Sequence, residues 1–202
     1  MRPFVFVFDI DDTLCRTPSN FHRGWRAAHD AFVRTKSFAH IERFYQRGYP
    51  CKPNVARSVA SLPGRKILFT NASRMHATQA VQASGLGGVF ELMYDADLNR
   101  PLKPHADMYS MIESRVSPAH RDQPLPLIAF LDDQLPNLHT AYTRGWYTLW
   151  VHPDPSMVVP NGVIPPYVMT HYRSIEDALD GLHRVLGRDS TPRHWLHANG
   201  PN

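Results

Sequence analysis

A doubly wound parallel α/β sheet, with helices on both faces to make three layers, is the fold this sequence predicts. Three observations predict it. Residues 4–8, FVFVF, are an unbroken apolar run of Val and Phe, which suits a strand buried on both faces of a parallel sheet. The run gives way at once to Asp9 and Asp11, and open α/β sheets place their ligands beyond the carboxyl ends of their strands. Further short apolar runs, at 66–70 (KILFT) and 127–131 (LIAFL), alternate with stretches of helical spacing, the pattern of successive βαβ units.

The elements follow in chain order. Residues 18–20 (PSN) open a first helix, with Ser19 or Asn20 as its N-cap. Phe21, Trp25, Ala28 and Phe32 then recur at helical spacing. Residues 35–37 interrupt the pattern; Phe38, Ile41 and Tyr45 make a second stripe that Gly48 and Pro50 end. The two stripes read as the packing faces of a helical hairpin. A third helix at 53–62 carries Val55, Val59 and Leu62, and Pro63-Gly64 turns the chain into the strand at 66–70. A helix at 72–84 stops at Gly85, a strand follows at 89–94, and a helix at 104–115 starts on Pro104. The strand at 127–131 runs into Asp132 and Asp133; a helix at 135–144 stops at Gly145; a strand occupies 146–151. Residues 158–166 are a Pro-rich loop, 167–170 a short edge strand and 174–186 a last helix. Residues 187–202 read as a flexible polar tail.

A chain of 202 residues, 43% apolar, holds one sizeable core and a small appendage. No apolar stretch approaches a membrane span, and the short apolar start lacks the features of a signal peptide. Two cysteines, Cys15 and Cys51, offer no disulfide framework, so a reducing, cytoplasmic setting is expected. The 12 histidines show no zinc spacing. The net charge of +4 is unevenly spread: residues 16–66 hold eleven Lys or Arg against Asp30 and Glu42, leaving the rest of the chain at −5. A basic block beside an acidic core suits an anionic substrate, and an Arg-rich solvated helix surface is its plain alternative.

In extended backbone, positions i and i+2 share a face, so Asp9 and Asp11 point into one site with Ile10 turned away. Carboxylates this close repel each other unless something offsets the charge. Mg²⁺ would, because it takes carboxylate oxygens together with phosphate oxygens. One carboxylate could then attack phosphorus while the other handles a proton. The plainer reading is an acidic turn that caps the next helix.

The apolar run followed by Asp9-x-Asp11-x-Thr13-Leu14 resembles the first motif of the haloacid dehalogenase-like superfamily. Three further motifs resemble that family in order: a strand ending in Thr70 (ILFTNAS), Lys103 in LKPHADMY, and Asp132-Asp133 in FLDDQLPN. From residue 62 to 151 the likeness narrows to the pyrimidine 5′-nucleotidase-like branch. Arg74, His76 and Asn137 match positions of that branch, while Gln134 stands where Ser is usual. The resemblance implies a core at 1–15 and 52–186, with a helical cap at 16–51 reduced to two short helices.

It also implies roles. Asp9 is the nucleophile and Asp11 the acid and base. Thr70, Asn71, Lys103 and the N–H groups opening the helix after Thr70 hold phosphate. Asp9, Asp11, Asp132 and Asp133 hold Mg²⁺. Arg74, Arg16 and Trp25 are candidate substrate contacts, although Trp25 also reads as hairpin packing. His76 reads as orienting the first turn of its helix, and Cys15 as a small buried hydrophobe. The expected activity is hydrolysis of phosphomonoesters, with nucleoside monophosphates first. A nucleic-acid end approached through the basic cap is the alternative, and a non-catalytic binding module the third reading. A phosphorylated small molecule is the expected partner, no membrane is expected, and a second subunit could complete the reduced lid.

Overall fold

A computed structural model describes residues 3–48, 53–97, 101–117 and 124–188. Its centre is a six-stranded, wholly parallel sheet in the order β3-β2-β1-β4-β5-β6. The strands are β1 Phe4–Phe8, β2 Arg65–Phe69, β3 Leu92–Tyr94, β4 Leu127–Asp132, β5 Tyr147–Val151 and β6 Thr170–Tyr172. The helices are α1 Phe21–Thr35, α2 Ala39–Gly48, α3 Pro53–Ser61, α4 Arg74–Ala83, α5 Ala106–Val116, α6 Leu135–Thr143 and α7 Ile175–Arg188. After β1 the chain moves to β2 and β3 on one side; it then returns to place β4, β5 and β6 on the other. The order therefore reverses between β1 and β4, the switch point at which doubly wound sheets bind their ligands.

Alternation along each strand builds two cores. Phe6 and Phe8 of β1, Leu68 of β2, Leu131 of β4 and Leu149 of β5 face one side, under α3, α4 and α7. Val5, Val7, Ile67, Phe69, Ile128 and Phe130 face the other, under α5 and α6. This is the three-layer α/β arrangement that the alternating runs predict. Every residue of β4 is buried, which explains why LIAFL reads as one continuous apolar run.

α1 and α2 pair through aromatic side chains. Phe44 meets Phe21 edge-on at 5.3 Å and Trp25 at 6.1 Å. Ile41 and Tyr45 of α2 are 1% exposed and join the first core, whereas α1 buries no residue fully. Among the described residues, no helix is long and apolar enough to cross a membrane.

Several boundaries differ from those expected. α4 begins at Arg74 rather than residue 72, because Ser73 caps it by accepting the His76 N–H. α5 begins after His105, whose ring nitrogen accepts the Asp107 N–H, so Pro104 precedes the helix. β3 is three residues long because the Val89 N–H bonds back to Leu86, closing a turn where a longer strand is expected. β6 lies at Thr170–Tyr172 rather than 167–170: Val168 closes a turn onto Pro165, and only then does the chain pair with β5. Two single 3₁₀ turns interrupt the Pro-rich loop region. α7 continues through Gly187 to Arg188. The rest of the expected tail, and Cys51, lie outside the described residues.

Candidate active site

At the carboxyl end of β1 the Asp9 N–H still bonds to Leu131 of β4, so Asp9 is held in line with the sheet. The next residues double back: Asp12 adopts a positive φ of 58°, a conformation Asp tolerates better than most side chains. Its N–H donates to the Cys15 carbonyl while the Cys15 N–H donates to Ile10. This tight loop presents Asp9, Asp11 and Asp12 to a cavity of about 300 Å³. The other walls are Thr70, Asn71 and Ala72 after β2, Lys103, and Asp133, Gln134 and Asn137 after β4. Among the described residues, none from α1 or α2 lines it.

Lys103 sits at the base. Its Nζ donates to Asp9 Oδ1, to Asp132 Oδ2 and to the Phe69 carbonyl, each at 2.7 Å. Burial alone would lower its pKa, but Asp132 and Asp9 outweigh burial and raise it, so the ammonium stays charged. Asp9 is 6% exposed. Burial pushes its carboxyl well above the usual range; Lys103 pulls it back, while Asp132 and Asp133 push it up further. Asp133 is raised to about 6 by burial and then by Asp132.

The donor set tests what cation would fit. Among the described residues, no three His, Cys, Asp or Glu side chains form a self-sufficient metal cluster. Asp9, Asp132 and Asp133 nevertheless lie close enough to repel one another, and the one ammonium among them, Lys103, bonds only to the first two. Two of those carboxylates, Asp9 and Asp133, line the cavity. Hard oxygens in this number suit Mg²⁺, which binds one or two carboxylates and keeps water and phosphate oxygens for the rest.

The structure therefore brings Asp9, Asp11, Thr70, Asn71, Lys103 and Asp133 to one cavity, and it redistributes some expected roles. Asp132 is fully buried and does not line the cavity. Its oxygens accept from Lys103, from the Gln134 N–H at 2.7 Å and from Asn137 Nδ2 at 3.0 and 3.1 Å. It holds Lys103 in place at the base of the site.

The Asn71 side chain is committed to the Lys103 backbone, accepting its N–H at 2.9 Å and donating to its carbonyl at 3.0 Å. Thr70 Oγ1 accepts the Ala72 N–H, which leaves its own O–H to donate. The opening N–H groups of α4 are not an empty anion cradle: Asp97 accepts that of Arg74 and Ser73 that of His76.

Arg74 turns away from the cavity and donates from Nε to the buried Asp95 at 3.1 Å. Trp25 packs against Phe44 and Tyr45 within the hairpin. Arg16 is exposed and does not line the cavity. His76 does more than orient a helix turn, since its Nε2 lies 2.8 Å from Asp11 Oδ1. The sequence marked His76 only through its place in HA after FTNAS. Tyr45, whose hydroxyl lies 2.9 Å from His76 Nδ1, carried no functional signal and read as a packing residue.

No family model matches the chain, and no curated protein matches it. Solved structures do match. A protein from Thermotoga maritima assigned as a β-phosphoglucomutase superposes with a TM-score of 0.63 at 14% identity, covering 91% of this chain and 100% of that one. YfnB from Bacillus subtilis, assigned as a HAD-hydrolase and solved with magnesium, gives 0.61 at 15% identity, covering 92% and 99%. L-2-haloacid dehalogenase from Xanthobacter autotrophicus, with chloropropionic acid covalently bound, gives 0.59 at 16% identity, covering 94% and 100%. Identities this low speak to architecture alone: the chain has the haloacid dehalogenase-like α/β fold that mutase, hydrolase and dehalogenase members share.

Proposed function

We propose that the chain is a Mg²⁺-dependent phosphohydrolase that cleaves phosphomonoesters through an aspartyl-phosphate on Asp9, with nucleoside monophosphates as the first substrate class. The observation that carries this reading is the pairing of Asp9, bonded to Lys103 at 2.7 Å, with Asp11 in the same open cavity. A nucleophile beside an ammonium and a second, independently held carboxyl are what ester cleavage needs. Displacing a halide requires no proton at the leaving group, so a positioned Asp11 favours phosphate esters over the haloacids of the dehalogenase neighbours.

Asp9 attacks phosphorus through the oxygen not bonded to Lys103, and the P–O bond to the leaving group breaks as the P–O bond to Asp9 forms. Asp11 gives its proton to the departing oxygen. Asp11, now a carboxylate, takes a proton from water as that water attacks phosphorus, and Asp9 leaves as a free carboxylate. Lys103 and the Thr70 hydroxyl stabilise the charge that grows on the phosphoryl oxygens. Held by Asp9 and Asp133, Mg²⁺ would neutralise phosphoryl charge as a Lewis acid.

Asp9→Asn is expected to abolish turnover of nucleoside monophosphates and of a generic aryl phosphate in Mg²⁺, with an unchanged circular dichroism spectrum. Normal turnover by that variant would remove Asp9 as the nucleophile and this reading with it.

A second reading, a phosphorylated nucleic-acid end, is favoured by the open cavity and by the exposed Arg23, Arg26, Arg34, Lys36, Arg43 and Arg47 of the α1–α2 hairpin.

A further inference from the structure

His76 stands between the helical hairpin and the catalytic loop. Its Nε2 is 2.8 Å from Asp11 Oδ1, and its Nδ1 is 2.9 Å from the Tyr45 hydroxyl. Phe21 of α1 meets the ring edge-on at 5.2 Å, and the Tyr45 ring lies 5.5 Å away. The His76 side chain is 13% exposed and that of Asp11 34%. The first turn of α4 anchors the His76 backbone through Ser73. Thus an aromatic from each hairpin helix grips one imidazole, and that imidazole grips the carboxyl at the cavity rim.

We propose that Tyr45 and His76 are positioning residues for Asp11: Tyr45 sets the tautomer of His76, and His76 sets the orientation of the Asp11 carboxyl. The chemistry follows from the donors available. Burial and the nearby Asp11 keep the Tyr45 hydroxyl protonated, so it can donate to Nδ1. A ring that accepts at Nδ1 carries its hydrogen on Nε2, which then donates to Asp11 Oδ1. With Oδ1 accepting, rotation about the last side-chain bond of Asp11 is restrained, which fixes the direction of its other oxygen. A short carboxyl on a partly exposed loop otherwise samples several rotamers, and proton delivery depends on alignment. The hairpin thereby acts on the reaction without lining the cavity.

This assignment rests on Asp11 acting as acid, and the test separates the two ideas. The probes are an alkyl phosphate, whose leaving group needs protonation, and 4-nitrophenyl phosphate, whose leaving group needs little. kcat/KM reports steps only through leaving-group departure. His76→Ala is expected to lower kcat/KM on the alkyl ester by about 100-fold and on the nitrophenyl ester by less than about 3-fold. His76→Gln, which keeps a donor near the Nε2 position, is expected to restore part of the loss, and Tyr45→Phe to fall between Gln and wild type.

Equal losses on both esters, or no loss, would overturn the positioning role while leaving the phosphatase reading intact. Nitrogen-15 shifts of the ring give a readout independent of turnover. Wild type is expected in the Nε2–H tautomer, with the population redistributed in Tyr45→Phe. A wild-type Nδ1–H tautomer overturns the proposal even if no ester proves to be a substrate.

Discussion

Asp132 and Asp133 follow one another at the end of β4, and the local backbone sends them to different tasks. Asp132 belongs to the ladder, pairing with Trp150, and is sealed against Lys103, Asn137 and the Gln134 N–H. Asp133 lies one step past the strand, with its carbonyl pinned by Trp150 Nε1 at 2.8 Å and its side chain at the cavity. Truncating one partner of a buried ion pair leaves charge behind. Asp132→Ala is therefore expected to lower unfolding stability by about 3–5 kcal/mol. Asp133→Asn removes a carboxylate that repels its neighbours, so the metal-free variant is expected to melt no lower than wild type. It should instead lose the Mg²⁺-induced rise in melting temperature that is expected of wild type, about 2.7 kcal/mol at 100 times the dissociation constant. Parallel thermal melts of both variants with and without Mg²⁺ check the division. If Asp133→Asn responds to Mg²⁺ as wild type does, Asp133 is not a ligand.

At the scale of elements, the site depends on how closely the segment before β2 approaches β1. Gly64 adopts φ +99°, and a Cβ there would lie 2.3 Å from the Phe4 carbonyl oxygen. That oxygen is backbone and cannot swing aside, and the conformation itself disfavours a side chain. Gly64→Ala is expected to cost about 3 kcal/mol of stability, measured by urea denaturation. Wild-type stability in that variant would mean that the turn before β2 rearranges freely. Strand identity was legible where burial is two-sided, as in residues 4–8 and 127–131, because the apolar run is then continuous. It was less legible at β6: THY is partly buried and polar, and what makes it a strand is the open edge of β5 rather than its own composition. Helix starts moved by two residues where a side chain, Ser73 or His105, captured a backbone N–H first.

Across the whole molecule, the strand order places the reversal between β1 and β4 directly beneath the cavity. The hairpin packs on the side of the sheet that carries α4, so its basic residues are exposed while the cavity stays open. An open cavity beside exposed cations suits a phosphate whose leaving group extends far from the reacting atom. If the nucleic-acid reading holds, oligonucleotides bearing a terminal phosphate are hydrolysed at least about tenfold faster than free monophosphates at low salt. That advantage collapses between 50 and 200 mM salt as counterions compete. Slower hydrolysis of the oligonucleotides at low salt leaves the monophosphates as the substrate class.

By itself the sequence determined the parallel α/β architecture and the presence of acids, a hydroxyl and an amine at or after strand ends. Apolar continuity and the residue following a strand are local properties, readable without knowing what lies opposite. Only the tertiary structure decided which carboxylate faces the cavity, that Asn71 serves the Lys103 backbone, that Arg74 turns to Asp95, and that Tyr45 reaches Asp11 through His76. Each of these depends on a partner from another part of the chain, 65 positions away for His76 and Asp11. Polar side chains take up whichever donor or acceptor the packed elements bring within about 3 Å, and no local pattern encodes that choice.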